Sequence, residues 1–171
     1  CELLLNERIK NKKIYFLSFN IFGMGGTGRT VINTAEYLAN NGYDVELISV
    51  FGNKNDKYFN IDEKIKITVL DGKGIKKTRF ERLLKTRKSK LIDRDDEFYH
   101  NFSMLTDYTL MKTLFKINKG IVVSTRPGFN IMIAKYFKIR RFKVIGQEHL
   151  NFNIHTEKLQ KSIKKYYKKL D

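Results

Sequence analysis

Apolar positions along the chain form short runs separated by longer segments of mixed character. After a polar lead-in over residues 1–12, the run at 14–19 is almost entirely apolar, as in a strand covered on both faces. A glycine-rich loop follows, and the apolar residues at 29–40 then recur at helical spacing until Asn41-Gly42, a typical helix end. A second strand at 45–51 completes a segment of the size of one βαβ unit.

The rest of the chain continues this alternation of strands and helices. Such alternation predicts the α/β class, with a Rossmann-like, doubly wound parallel sheet that binds ligands beyond the carboxyl ends of its strands. We expect a single domain over 1–171, because no repeat and no low-complexity linker interrupts the pattern. The further elements are predicted as a strand near a sheet edge at 65–70, a helix at 105–117, a strand at 121–125, a loop at 126–130, a short helix at 131–137, a strand at 142–147 and an amphipathic helix at 156–170.

The charge of the chain adds a preference for anionic partners. There are 34 Lys and Arg against 18 Asp and Glu, a formal net charge of +16. The stretch at 73–90 holds nine basic residues and one acid, Glu81, and we interpret it as a mobile basic excursion at one edge of the domain. An excess of this size favours nucleic acid, anionic lipid or a polyphosphate polymer, although a solvated basic surface produces the same count.

The compartment is expected to be the cytoplasm. No apolar run approaches the ~20 residues that cross a bilayer, and the N-terminal residues do not have the pattern of a signal peptide. The single cysteine, Cys1, excludes an internal disulfide and gives no support for an oxidising compartment.

The glycine loop at 23–28 formally matches the G-x-G-x-x-G dinucleotide fingerprint. Three residues at 20–22 separate it from the strand, however, and Glu46 lies inside the second strand rather than at its end, so an NAD-dependent oxidoreductase is disfavoured. A P-loop lysine is missing as well. What remains is either a tight turn or an anion cradle at the first turn of a helix, whose N–H groups have no partners of their own. The cradle would consist of Gly25, Gly26, Thr27, Gly28 and Arg29.

Three further side chains follow the ends of predicted strands. Arg126, just before Pro127-Gly128, either clamps a phosphate or sugar hydroxyls or pairs with a neighbouring carboxylate. Glu148 and His149 end the fifth strand, where a structural role and a catalytic role are both open. An imidazole there can bind a sugar hydroxyl or stabilise developing charge, with Glu148 as a base or an orienting partner. No Ser-His-Asp or Cys-His set and no metal-ligand spacing is present.

Three short motifs together resemble those of GT-B retaining glycosyltransferases of the family-4 type. They are the segment 25–29 entering a helix, the segment Asn41-Gly42-Tyr43-Asp44-Val45 closing it, and Gln147-Glu148-His149. Within that family the chain is most similar to bacterial enzymes that glycosylate wall or lipoteichoic acid, the poly(glycerol-phosphate) α-glucosyltransferase type. The resemblance covers roughly Lys12 to Asp171.

The resemblance implies that the chain is the N-terminal, acceptor-side domain of a two-domain enzyme. A nucleotide-sugar donor, a UDP-hexose, would bind mainly to a C-terminal domain that this chain lacks, and the Gly25-Gly26 loop would approach its diphosphate across the cleft. His149 would contact the donor sugar near the reaction centre, and transfer would need neither a metal nor a cofactor. Since the family's paired glutamates belong to the second domain, the chain alone is expected to be inactive.

The basic surface would then suit a polyanionic acceptor such as teichoic acid, or the inner face of the cell membrane. We assign acceptor binding to Arg126, Lys76, Lys77, Arg79 and Arg82. The rival hypothesis is a basic α/β binding module for nucleic acid or another polyanion. The identity of the sugar and the oligomeric state are not predicted.

Overall fold

The fold is a five-stranded, all-parallel sheet with helices on both faces, as seen in a computed structural model that describes residues 12–53, 55 and 58–171. The predicted α/β, Rossmann-like class is confirmed. Of the polar lead-in predicted at 1–12, residues 1–11 lie outside the described residues. The strands are β1 (Ile14–Ser18), β2 (Val45–Gly52), β3 (Lys66–Gly72), β4 (Ile121–Ser124) and β5 (Lys143–Gly146), in the spatial order β3-β2-β1-β4-β5.

Five α-helices accompany the sheet within the described ranges. No helix there has both the length and the apolar character required to cross a bilayer. Short 3-10 turns lie at Tyr99–Asn101, Phe152–Ile154 and Tyr167–Lys169. The α-helices are α1 (Gly26–Asn40), α2 (Arg79–Lys85), α3 (Met104–Phe115), α4 (Pro127–Tyr136) and α5 (Glu157–Tyr166).

The apolar core lies on both faces of the sheet because side chains alternate along each strand. On β1, Phe16 faces the cluster that contains Val31 and Ile32 of α1. Leu17, the next residue, belongs to the opposite cluster, which includes Leu110 of α3 and Phe129 of α4. Coverage of both faces explains why β1 is almost continuously apolar.

Helix α4 begins earlier than the sequence pattern indicates. The loop predicted at 126–130 is wrong, because Arg126 is the N-cap and Pro127 is the first helical residue. Proline is well suited to this position, since its missing N–H would have no helical acceptor there and its φ angle is already helical. Helix α5 conversely ends at Tyr166, and the last predicted turn is a 3-10 turn.

The basic stretch at 73–90 is fastened to the domain rather than forming an irregular excursion. Thr78 and Glu81 make a reciprocal capping box at the start of α2, and Leu84 is buried. The buried carboxylate of Asp71 at the end of β3 accepts an ion pair from Lys77 at 2.9 Å and one from Lys85 at 3.2 Å. This stretch is therefore attached beside β3, the strand that the pattern predicts at an edge of the sheet.

Candidate functional site

A cavity of about 380 Å³ opens at the carboxyl end of the sheet, between β1 and β4. These two strands are neighbours, but α1 leads from β1 towards β2 on one side and α4 leads from β4 towards β5 on the other. Loops that diverge from adjacent strands leave a crevice at such a switch point. The cavity is lined by parts of segments 18–28, 96–98, 125–127 and 148–150, together with His155 and Leu159.

The glycine loop forms one wall of the cavity through Gly23, Gly25 and Gly28. No glycine between positions 23 and 28 has a positive φ angle, and a Cβ atom built on Gly25 or Gly26 would meet nothing within 4 Å. Neither a left-handed backbone nor crowding among the described residues therefore accounts for these two glycines. They leave open space over the first turn of α1.

The first turn of α1 offers unpaired donors to that space. Gly25 is the N-cap, and no side chain caps the helix. The leading N–H groups of a helix have no internal acceptors, and the helix dipole places partial positive charge there. Thr27 also lines the cavity, whereas Gly26 and the exposed Arg29, both predicted to be part of the cradle, do not.

The three residues that separate β1 from the glycines anchor the loop. Ile21 and Phe22 are buried, and the Ile21 N–H donates to the Ser49 hydroxyl at 3.1 Å. The Phe22 N–H donates to the side-chain oxygen of Asn20 at 3.0 Å. Gly52 at the end of β2 has a φ of +112°, and a side chain at that position would collide with Phe22 and Asn20. The three residues at 20–22, whose presence disfavours a dinucleotide site, thus pack against β2 and fix the position of the glycine loop.

Arg126 lines the cavity and is held between an acid and aromatic rings. Its Nη2 lies 2.5 Å from Oδ1 of Asp96, and its guanidinium lies 4.6 Å from the ring centre of Phe98 and 5.2 Å from that of Phe19. Burial lowers the pKa of Arg126, and the charge of Asp96 opposes that shift. Of the two alternatives from the sequence, the structure shows the carboxylate pair. Nε of Arg126 and Oδ2 of Asp96 nevertheless have no partner within the described ranges.

Glu148 belongs to a polar cluster that the sequence did not indicate. Its Oε1 accepts a hydrogen bond from Nδ2 of Asn130 at 3.2 Å and another from the hydroxyl of Tyr167. Its Oε2 lies 3.7 Å from Nε2 of His155. Burial raises the pKa of Glu148 to about 7, with the Asn130 hydrogen bond and the Arg126 charge opposing the rise. A carboxyl group with such a pKa can give or take a proton at neutral pH.

His149 follows Glu148 in the chain and also lines the cavity. Its Nε2 is buried and has no hydrogen-bond partner among the described residues. Burial lowers the pKa of His149, so the imidazole is neutral at pH 7. A neutral imidazole can accept a hydrogen bond from a hydroxyl or donate one to an oxygen, depending on its tautomer.

The sequence-predicted site residues fall into two groups. The structure brings the glycine loop, Arg126, Glu148 and His149 together around one cavity. The other predicted acceptor residues lie elsewhere, because no residue between 29 and 95 lines the cavity. Lys77 is paired with Asp71, and the remaining three, which are exposed, are Lys76, Arg79 and Arg82.

Comparison with known proteins yields two relatives that are transferases by name. No protein-family model matches the chain. Over 60 residues, which are 35% of this chain and 16% of the relative, it is 50% identical to a Haemophilus influenzae protein named uncharacterized glycosyltransferase. Over 139 residues, which are 74% of this chain and 14% of the relative, it is 26% identical to a Streptomyces coelicolor protein named exopolysaccharide phosphotransferase.

The chain therefore spans a small part of both curated relatives that it matches. Their names support a glycosyltransferase-like family and, in general terms, a sugar donor and an acceptor. They do not favour the alternative of a nucleic-acid binding module.

Proposed function

We propose that the chain is the acceptor-side domain of a GT-B glycosyltransferase that moves a hexose from a nucleotide-sugar to a cell-envelope polymer such as teichoic acid. The observation that carries this proposal is the convergence of the glycine loop, Arg126, Glu148 and His149 on one cavity at the switch point of the sheet. Substrates of open α/β proteins bind at this place. The enzyme acts in the cytoplasm on this proposal, where nucleotide-sugars are available.

The donor diphosphate would lie against the first turn of α1. There the open space over Gly25 and the unpaired N–H groups suit phosphate oxygens. The donor is a UDP-sugar on this proposal, and most of its contacts come from a second domain outside this chain. Residues of that domain would complete the cavity from its open side.

His149 would bind a hydroxyl of the donor sugar through its imidazole, since the residue lines the cavity. Because the imidazole is neutral, it adds directional hydrogen bonding without repelling the positive charge that develops on the sugar ring as the glycosidic bond breaks. Glu148, which exchanges a proton near neutral pH, is placed to accept the proton of the acceptor hydroxyl or to orient that hydroxyl. Arg126 would steady an acceptor group in the cavity.

The experiment is the turnover of UDP-sugars by the full-length enzyme with teichoic acid as acceptor, comparing the wild type with His149→Ala. We expect turnover to fall about 100-fold or more, since a positioned acid–base or hydrogen-bonding group contributes factors of that order. Far-UV circular dichroism would confirm that the variant is folded. The control is His100→Ala, which removes an exposed imidazole that does not line the cavity. Wild-type turnover in His149→Ala would refute the role given to His149.

A further inference from the structure

Helix α2 presents large apolar side chains to solvent among basic residues. Phe80 is 58% exposed, Leu83 is 52% exposed, and Ile75 just before the helix is 46% exposed. Phe80 and Leu83 are three residues apart and are therefore neighbours on the helix surface. We call this surface the α2 face, and it consists of Ile75, Lys76, Arg79, Phe80, Arg82 and Leu83.

The α2 face is held in place by contacts beneath it. Leu84 is buried, and the capping box of Thr78 and Glu81 fixes the start of the helix. Behind Phe80, the ring of Tyr108 from α3 lies at a centroid distance of 6.3 Å in an edge-on arrangement. The exposed apolar side chains thus project from an anchored helix.

The cations of the α2 face have no acidic partner among the described residues. In the described part of the chain, no salt bridge involves Lys76, Arg79 or Arg82. The nearby acids are occupied, because Asp71 pairs with Lys77 and Lys85, and Glu81 accepts hydrogen bonds from Thr78. The surface therefore combines unneutralised positive charge with protruding apolar groups.

The α2 face is separate from the cavity. It follows β3 at one edge of the sheet, two strands away from β1. At a spacing of about 4.8 Å between neighbouring strands, this amounts to roughly 10 Å across the sheet. No residue of the face lines the cavity.

We propose that the α2 face docks this domain on an anionic lipid bilayer. Phe80 and Leu83 would enter the boundary between headgroups and acyl chains, while Lys76, Arg79 and Arg82 would contact lipid phosphates. The apolar side chains favour a bilayer over a soluble phosphate polymer such as polyphosphate, because such a polymer satisfies the cations but offers nothing apolar to Phe80 and Leu83. This inference does not depend on the proposed transferase activity.

Co-sedimentation of the full-length protein with lipid vesicles tests the inference. We expect binding to vesicles of phosphatidylcholine with phosphatidylglycerol, little binding to phosphatidylcholine alone, and weaker binding as salt increases. The double variant Phe80→Ser, Leu83→Ser keeps every charge and should lose about tenfold in vesicle affinity. Its control is Tyr37→Ser, Ile139→Ser, which removes two apolar side chains that are 68% and 99% exposed elsewhere.

The contribution of the cations is tested with the double variant Arg79→Gln, Arg82→Gln, which should also lose about tenfold in vesicle affinity. Lys158→Gln, Lys161→Gln on the exposed side of α5 is its control. If the double variant Phe80→Ser, Leu83→Ser binds vesicles as strongly as the wild type, the inference is overturned in favour of a surface that binds polyanions. Inorganic polyphosphate would then displace the wild type and this variant from vesicles equally well. A wild-type protein that fails to bind anionic vesicles would overturn it as well.

Discussion

Replacing Glu148 by glutamine should change how the stability of the protein depends on pH. Burial raises the pKa of this carboxyl from its ordinary value of 4.5 to about 7. Between these two values the folded state holds a proton that the unfolded chain has released. The proton therefore favours the folded state at the acid side of this window, and the stability falls as the pH rises towards 7. Above that pH both states are ionised and the slope ends.

The magnitude follows from the size of the shift. A change from 4.5 to about 7 corresponds to an upper limit of about 3.4 kcal/mol at 1.36 kcal/mol for each pKa unit. The Glu148 side chain is 28% exposed, and solvent screening reduces the expected effect to about 1–2 kcal/mol. The Glu148→Gln variant lacks this titration. The difference between its free energy of unfolding and that of the wild type should therefore be larger at pH 8 than at pH 5, by about 1–2 kcal/mol in favour of the variant.

The assay is urea unfolding at a series of pH values, followed by circular dichroism because the chain has no tryptophan. Glu63→Gln, which removes an exposed carboxylate, is the matched control. Parallel stability curves for wild type and Glu148→Gln between pH 5 and 8 would refute the reasoning. They would mean that Asn130, Tyr167 and Arg126 compensate the desolvation of Glu148 completely.

Two further predictions concern the same cavity. Gly25→Ala should change the free energy of unfolding by less than about 1 kcal/mol, since a methyl group there meets nothing within 4 Å and only the weaker preference of alanine for the N-cap opposes it. It should nevertheless weaken binding of UDP to the full-length enzyme in calorimetry. The contrasting variant is Gly120→Ala, which should lower the free energy of unfolding by more than about 1 kcal/mol, because the φ of Gly120 is +136° and a Cβ there would collide with the Lys13 carbonyl. Equal free energies of unfolding for the two variants would contradict this prediction. Asp96→Asn should destabilise by about 3 kcal/mol in urea unfolding by leaving Arg126 buried without a counter-ion, whereas Asp95→Asn, which carries no ion pair among the described residues, should cost little.

The sequence predicts the sheet well because the signals for its strands are local. Each strand is a compact apolar run, and the edge position of β3 shows in its alternating pattern. Glycine at position 42 marks the end of α1, where its φ is +85° as a left-handed cap requires. The start of α4 was missed because Pro127-Gly128 is a turn signal, and the same proline also suits the first turn of a helix.

The candidate site was predictable only where it adjoins a strand end. Arg126, Glu148 and His149 lie within three residues of the ends of β4 and β5, so the rule that parallel sheets bind ligands beyond their carboxyl ends applies to them. Asp96, by contrast, lies 30 residues from Arg126 in the chain, and Tyr167 lies 19 from Glu148. Tertiary packing brings such pairs together, and an acidic run at 93–97 was the only local sign of Asp96.

The charges that line the cavity bear on the donor that is proposed to bind there. Arg126 is the only Lys or Arg that lines it among the described residues, and Asp96 already neutralises that cation. Glu97 and Glu148 add further acid, and His149 is neutral at pH 7. The N-terminus of α1 contributes roughly half a positive charge, which is too little to balance the two charges of a nucleotide diphosphate. If the cavity binds a nucleotide-sugar as proposed, the cations that balance its diphosphate would come from outside this cavity wall, and the glycine loop would contribute only part of the binding.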